Sequence, residues 1–588
     1  MSADDFARIP VTVLEIDQDF CQLEYGTSPC TAELGVTGDR KCYNCLATCQ
    51  DTENYDPAPL TLRFSMRDRA EGFDEYVIPS IDSVRTDPTR INVGGRRGRD
   101  KPLGVRAQGI VTLTDHPHSD LIVDKYVTER DFDPMERGTF WSKWLRRNPF
   151  YVNRPMRIRE GFAGQALEDM QVRHYVIEKI EGPNSSGGVT ITGQDVLRLA
   201  DDDKAQCPRL SSGTLLTGID DTQSTMTVTG DTIESYQQLD TKAVRISDEV
   251  IRYDEVTENL DGDLEFTGLV RGSDGTEATD HDAEDTVQGC AEFMNEEPWE
   301  VARVLLTEFG NVDEQFINFS DWVEEAERWL TGFFVRRLLT EPEGVTELLG
   351  QLSEQCLFFI WWDERVQEVR FRAVAPVIGA VPLITERGNL LRDSVSIRVR
   401  PEQRASEVWA SLLLRNAVET GDERKNYRRT RARIDPTASS QDEYRERRVY
   451  EVFSPWLVNN AQVDLLTFRL LSRYRRPPEY LSFSLDIKDR ELDVAEVFDV
   501  EYRGFVDDTG ATQPVRYQVI SVHESPPGER IKIEAQRFDF GAFDNFGNWM
   551  VESAPVYTEA TDEQKDFGTW WANDDGKYSD GSDGVRWA

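Results

Sequence analysis

Five of the eight cysteines fall within 29 residues, at Cys21, Cys30, Cys42, Cys45 and Cys49. Thiols gathered this tightly are the residues of the chain best suited to hold something. The segment reads CQLEYGTSPCTAELGVTGDRKCYNCLATCQD, and three chemistries compete for it: a metal or iron–sulfur site, a disulfide knot, or free thiols. Its spacing is not the doubled C-x2-C pattern of a zinc ribbon. Iron–sulfur sites accept irregular spacing, because a cubane presents its irons in different directions to loops of different length. Disulfides suit the chain less well. The start, MSADDFARIPVTV, is acidic and lacks the basic flank and apolar core of a secretory signal. A chain of 588 residues also buries a core without staples. The residues favour a metal or cluster.

Other catalytic chemistry is hard to find. The five histidines are His116, His118, His174, His281 and His523, and none stands in H-E-x-x-H. There is no G-x-S-x-G, and Gly94-Gly95 is followed by arginines rather than the G-K-[ST] ending of a P-loop. His116 and His118 flank Pro117, which suits a turn. With 108 acidic residues, carboxylate pairs can be drawn almost anywhere and single out nothing. No enzyme is expected. A cluster ligated fully by cysteine leaves no open iron for a substrate, so its role would be structural or, second, electron-carrying.

The charge balance, 67 Lys plus Arg against 108 Asp plus Glu for a net −41, argues against a surface that grips nucleic acid everywhere. It suits a solvated exterior or a surface past which DNA slides. Basic residues gather at Arg96-Arg97-Gly98-Arg99 and from Lys425 to Arg433, and both runs read as mobile loops. No apolar run approaches a membrane span; the longest, Cys356 to Trp362, is strand length.

The elements that must position these residues are mostly strands. Leu60 to Phe64 and Gly109 to Leu113 alternate as half-buried strands. Gly138 to Leu145 is a short helical or turn element whose aromatics pack. A distant repeat lays Arg173–Asp195 over Arg516–Arg537, each an apolar strand, a turn and a second alternating strand. With one gap in the turn, Val176-Ile177 meets Val519-Ile520, Ile191 meets Ile533 and Gln194 meets Gln536. Between the two copies lies a Thr/Asp/Gly-rich insertion from about Ser211 to Phe293. Helices are expected from Pro298, from Asp321 to Leu330, near Pro342 to Glu354, and from Val463 to Tyr474, the last stopped by Pro477-Pro478. Val366 to Phe371 should pair with the buried run before it, and Leu481 to Ile487 alternates as a strand. The Asp/Gly-rich end carries Trp570, Trp571 and Trp587 and suits a poorly packed or partner-dependent tail.

These residues bring a family into view. The cysteine segment, the GTFW of Gly138 to Trp141, and DEVIRYDEV…GLVRGSDGTEATDH (Asp248 to His281) resemble the tail hub, or tail tip, proteins of long-tailed phages and gene transfer agents. The resemblance runs from the N-terminus to about residue 545. It implies a [4Fe–4S] cluster on Cys21, Cys30, Cys42 and Cys49, with zinc as the alternative; the position of Cys45 is usually not cysteine in that family, which leaves open whether it replaces a ligand. It implies a multidomain, β-rich α+β fold: a cysteine-rich segment over 1–60, a first tube-like β-domain over 61–210, an inserted small β-domain over 211–293, a mixed helix and strand domain over 294–390, a second tube-like β-domain over 391–545, and an acidic Trp-rich tail over 546–588. It further implies a homotrimer at the distal tip of a virion tail, with a distal tail protein or tube above, a fibre or spike below, DNA passing through the lumen, and the host envelope met at infection. Readings of other classes are a tail-associated hydrolase acting on cell wall or surface glycan, and a redox iron–sulfur protein.

Overall fold

The structure, a computed structural model, describes residues 9–538 apart from 68–72, 74, 93–102, 202–203, 376–380, 436–445, 490–491 and 525–529. The basic run Arg96 to Arg99 and the expected tail from residue 546 lie outside the described residues. The architecture is multidomain α+β: a closed seven-stranded barrel, an open six-stranded sheet, smaller sheets and scattered helices.

The barrel is built from β1 (Pro10–Cys21), β2 (Pro57–Met66), β3 (Ile78–Asp87), β4 (Gln108–Thr114), β5 (Pro155–Phe162), β6 (Gln171–Glu181) and β7 (Gly188–Gln194). The order around it is β1-β2-β3-β4-β7-β6-β5, and β1 closes it by pairing with β5. Only β2 and β3 run parallel. Alternation does the work: in β4 the residues Gly109, Val111 and Leu113 turn inward while their neighbours face out. Leu14, Ile16, Leu62, Phe64, Val111, Met156, Ile158, Ile177 and Ile191 form one core. Two long connections leave this barrel, residues 22–56 between β1 and β2 and residues 115–154 between β4 and β5. The second carries helix α1 (Phe140–Arg147).

The open sheet contains Glu479–Asp486, Val497–Glu501, Val515–Glu524 and Arg530–Arg537, flanked by the short strands Leu383–Thr385 and Ser396–Val399. Its inner four strands follow the order of β4, β7, β6 and β5. The expected repeat is real, but its register differs from the one the sequence suggests. Val176 pairs with Gln194 as Gln518 pairs with Gln536, and Ile180 with Ile191 as Val522 with Ile533. The two hairpins therefore superpose at one offset with no gap. Tyr175 matches Tyr517 and Ile177 matches Val519. Each hairpin also skips one residue at the same place, Glu178 in one and Ile520 in the other. Matching Val-Ile with Val-Ile misses this because apolar residues flank the bulge, and only the pleat says which of them face inward.

Between the two copies, Thr214–Leu215, Thr225–Thr229, Glu255–Glu258 and Leu264–Thr267 form one small sheet and Ala243–Ile246, Glu249–Arg252 and Gln288–Gly289 another, around a core of their own. The middle of the chain supplies the helices Pro298–Val304, Phe319–Trp329, Val345–Cys356 and Asn460–Tyr474. They share the largest core of the molecule with the wholly buried strand Phe358–Asp363 and its partner Glu368–Ala373. The basic run from Lys425 is not a loop. Tyr427–Ile434 is a strand paired with Glu407–Leu414, its arginines solvated along an edge.

Candidate functional site

The cysteines lie in the first long connection. Cys21 ends β1 and is buried; Cys30, Cys42 and Cys49 are half-buried, and Cys45 is buried at 2% exposure. All five are free thiols. The Cys45 Sγ donates to the Tyr43 carbonyl at 3.3 Å, and the Cys49 Sγ to that of Asp51 at 3.2 Å. Burial pushes the Cys42 thiol up, as do the neighbouring Cys49, Cys21 and Cys30, and burial takes Cys45 up to about 11. Among the described residues, no three His, Cys, Asp or Glu side chains are grouped so as to hold a metal ion. The [4Fe–4S] cluster expected on Cys21, Cys30, Cys42 and Cys49 is not supported, nor is the zinc alternative. Metal ligation needs several donor side chains converging on one point, and the described side chains form no such group.

Protein contacts hold the connection instead, and they come from the second long connection. Arg130 donates to the carbonyls of Lys41 and Cys42, both at 2.8 Å, is paired with Asp124 at 2.9 Å and covers the Tyr43 ring at 4.1 Å. The Lys125 Nζ donates to the Cys21 carbonyl at 2.6 Å, and the Tyr25 N–H to the Tyr126 hydroxyl at 2.7 Å. The Arg147 guanidinium lies 4.0 Å from the Tyr43 ring centre. Within the loop, Asp51 accepts from the Thr31 N–H and hydroxyl.

The GTFW residues explain how that second connection is fixed. Asp115 accepts from the Trp141 N–H at 2.8 Å, giving an acceptor to a donor that the first turn of α1 leaves unpaired. Phe140, Trp141 and Trp144 are buried; Phe140 and Trp141 pack on Phe64, with the Phe64 and Trp141 rings stacked at 5.2 Å, and Trp144 packs edge to face on Trp141. The Trp144 Nε1 donates to Gln18 of β1 at 2.6 Å. From the other side Asp120 is paired with Lys143 and Arg147, each at 2.8 Å. Burial alone would raise its carboxyl, but His118, Lys143 and Arg147 hold it well below the ordinary carboxylate range.

A second constellation gathers residues that lie far apart in the sequence. Arg173 of β6, 6% exposed, is paired with Glu160 of β5 at 3.0 Å, with Glu364 at 3.0 Å and with Glu524 of the open sheet at 3.3 Å. Glu364 follows the buried strand Phe358–Asp363, so a single guanidinium joins both β-domains to the central one. Burial raises the Glu160 and Glu364 carboxyls against the pull of Arg173. Neighbouring contacts extend the junction. The Trp362 Nε1 donates to the His174 carbonyl at 3.1 Å, the His174 N–H to that of Glu364 at 3.0 Å, the Thr89 hydroxyl to that of Trp362 at 3.1 Å, and the Ile91 N–H to that of Ile520 at 3.0 Å. Asp195 closes it beside Arg106, its carboxyl pushed up by burial to about 6. One sequence signal existed: Arg173 shares the inward phase of Tyr175 and Ile177 in β6, where an arginine belongs only if it is paired.

The inserted-domain motif has a similar explanation. Glu249, fully buried, accepts from Arg271, from the N–H groups of Gly272 and Thr279, and stands 2.9 Å from the His281 Nε2. One buried carboxylate thus uses the residues that make the motif recognisable. His118 accepts from the Asp120 N–H, and His116 and His118 sit edge to face with ring centres 6.2 Å apart.

No family model and no curated protein matches the sequence. Among solved structures the chain is similar to a tail protein from Neisseria meningitidis MC58, at 9% identity and a TM-score of 0.37, over 77% of this chain and 91% of that one. It is similar to the 43 kDa tail protein of prophage MuSo2 from Shewanella oneidensis, at 10% identity and a TM-score of 0.33, over 77% and 92%. A chain of the virion of a native gene transfer agent particle aligns at 11% identity and a TM-score of 0.28, over 63% and 79%. At these scores the likeness is general and carries no residue-level correspondence.

Proposed function

We propose that the chain is a structural subunit of a phage-like tail hub, a homotrimer at the distal end of a tail that adapts a six-fold tube to a three-fold tip. The observation that carries this reading is the duplication of one β-unit: the same four-strand order, with the same skipped residue, on both sides of a helical core. Three copies would present six such units, which suits a six-fold partner on one face and leaves the other three-fold for a fibre or spike. A net charge of −41 suits a lumen through which DNA slides without sticking. His118 and His281, with the buried Glu249 and Glu364, are engaged in packing and junction contacts, and no observation favours the hydrolase reading.

The test is the mass of the purified chain by light scattering, followed by electron-microscopic class averages. A trimer showing six lobes around a channel is expected. A monomer or dimer at every concentration, with and without tail-tube protein, would overturn the reading.

A further inference from the structure

The open sheet ends in two edge strands, Leu383–Thr385 beside Val497–Glu501 and Ser396–Val399 beside Glu479–Asp486. In the barrel the strands at the corresponding places, β1 and β3, are bridged by β2. Among the described residues no strand bridges the two edges of the open sheet, and its core reaches the surface there. Ile397 is paired with the buried Leu481 and so shares its inward face, as does Val399 two residues on. Both are on the core side, yet Ile397 is 39% and Val399 52% exposed. The edge is also basic in a strongly acidic chain. Residues 383–400 hold four arginines against Glu386 and Asp393. Of these, Arg387 and Arg398 are exposed and meet no carboxylate among the described residues.

A projection on the barrel has the complementary character. In the connection between β1 and β2 the chain makes a tight turn from Glu33 to Gly38. The Val36 and Thr37 N–H groups donate to the Glu33 carbonyl at 3.1 and 2.9 Å, and the Gly35 N–H to that of Gly38 at 2.8 Å. The Thr37 hydroxyl stands 2.9 Å from the Gln50 Oε1 and ties the turn to the rest of the loop. A turn fixed in this way loses little freedom on binding. At its tip Leu34 is 58% and Val36 73% exposed. Glu33 and Asp39 flank them, both exposed and without a cation partner among the described residues. The turn and the edge thus match in their exposed apolar pairs and carry opposite charge. Two copies of the edge set against each other would bring arginines together instead, which is unfavourable.

We propose that the turn at Glu33–Asp39 of one copy docks on the edge Ser396–Val399 of the next. Leu34 and Val36 then cover Ile397 and Val399, while Glu33 and Asp39 meet Arg387 and Arg398. Turn and edge lie on different β-domains, so the contact runs head to tail and closes into a ring when the rotation returns to its start. It would set the barrel of each copy beside the open sheet of its neighbour. The inference rests on the trimeric reading above and names the surface that joins the copies.

Light scattering of the full chain over a range of concentrations tests it, with the midpoint of chemical denaturation as the control for folding. The variants E33R/D39R and R387E/R398E are each expected to weaken self-association at least tenfold, because like charges then face one another. The variant carrying all four changes should regain it, since the charges are complementary again. Equal assembly of both reversed variants and the native chain overturns this contact and leaves the trimer standing on another surface. Loss in both without recovery in the combined variant also overturns it. A native chain that stays monomeric at every concentration overturns the contact and the trimer together. Filaments or a ring of another size, lost in both reversals and regained in the combined variant, would support the contact and overturn the trimer alone.

Discussion

The barrel and the open sheet share a four-strand unit but finish it differently. The barrel closes on itself, with β1 pairing with β5, and its interior at the matched positions is filled by Val111, Met156 and Tyr175. The open sheet does not close, and the same positions carry Phe483, Phe498 and Tyr517, with ring centres 5.7 and 6.3 Å apart. Where strands cannot wrap the core, larger side chains fill it. The two also differ at their rims. The barrel carries two long connections that brace one another through Arg130, Lys125 and Asp120, while the open sheet joins its matched strands Glu479–Asp486 and Val497–Glu501 through about ten residues. Duplication supplied a common frame, and insertions made one copy distinct.

The junction between the copies should be the most sensitive place to break this arrangement. Arg173→Ala leaves three buried carboxylates facing one another and is expected to cost about 5 kcal/mol, read by chemical denaturation. A loss under about 1 kcal/mol would mean that the junction is packed rather than ion-locked. Next come the matched core positions. Phe498→Ala should cost about 4 kcal/mol and Met156→Ala about 3 kcal/mol, and the reverse order would count against the open sheet depending on its aromatics. Asp120→Ala strips Lys143 and Arg147 of their partner and is expected to cost about 3 kcal/mol. Limited proteolysis within residues 22–56 should rise in parallel, and an unchanged cleavage rate would uncouple the two connections.

The smallest effect is one of pH. The Asp195 carboxyl is raised from 3.8 to about 6 by burial, so the folded chain holds this proton more tightly than the unfolded chain. Its contribution is fully present below the ordinary carboxylate range and is lost as pH rises through about 6. Stability should therefore rise by roughly 2 kcal/mol for this group between neutral and mildly acid pH, and Asp195→Asn should flatten that part of the profile. Asp120 acts in the opposite sense. Its depressed carboxyl stabilises above the ordinary carboxylate range, and that support disappears as the pH falls further. A profile without a rise towards mild acid would discard the Asp195 assignment.

Much of the fold was legible because its signals are local. The helix placed at Val463 to Tyr474 is Asn460–Tyr474, and the buried run before Asp363 is a strand with a hairpin partner. Periodicity and Pro signals suffice for such elements. The run from Lys425 misled because its charges suggested a loop, whereas an edge strand can solvate arginines while its backbone pairs on one side. The cysteine spacing misled for a related reason. Nearness along the chain does not orient thiols towards a common centre, and the connection is held by Arg130 and Lys125 from nearly a hundred residues away.

The sequence by itself determined many of the strands and helices and the existence of the repeat, since each is written in neighbouring residues. Only the tertiary structure decided that one copy closes into a barrel, that the hairpins share a bulge, and that Arg173 meets Glu160, Glu364 and Glu524. These depend on burial and on which distant carboxylates a buried charge reaches, and no local pattern encodes either.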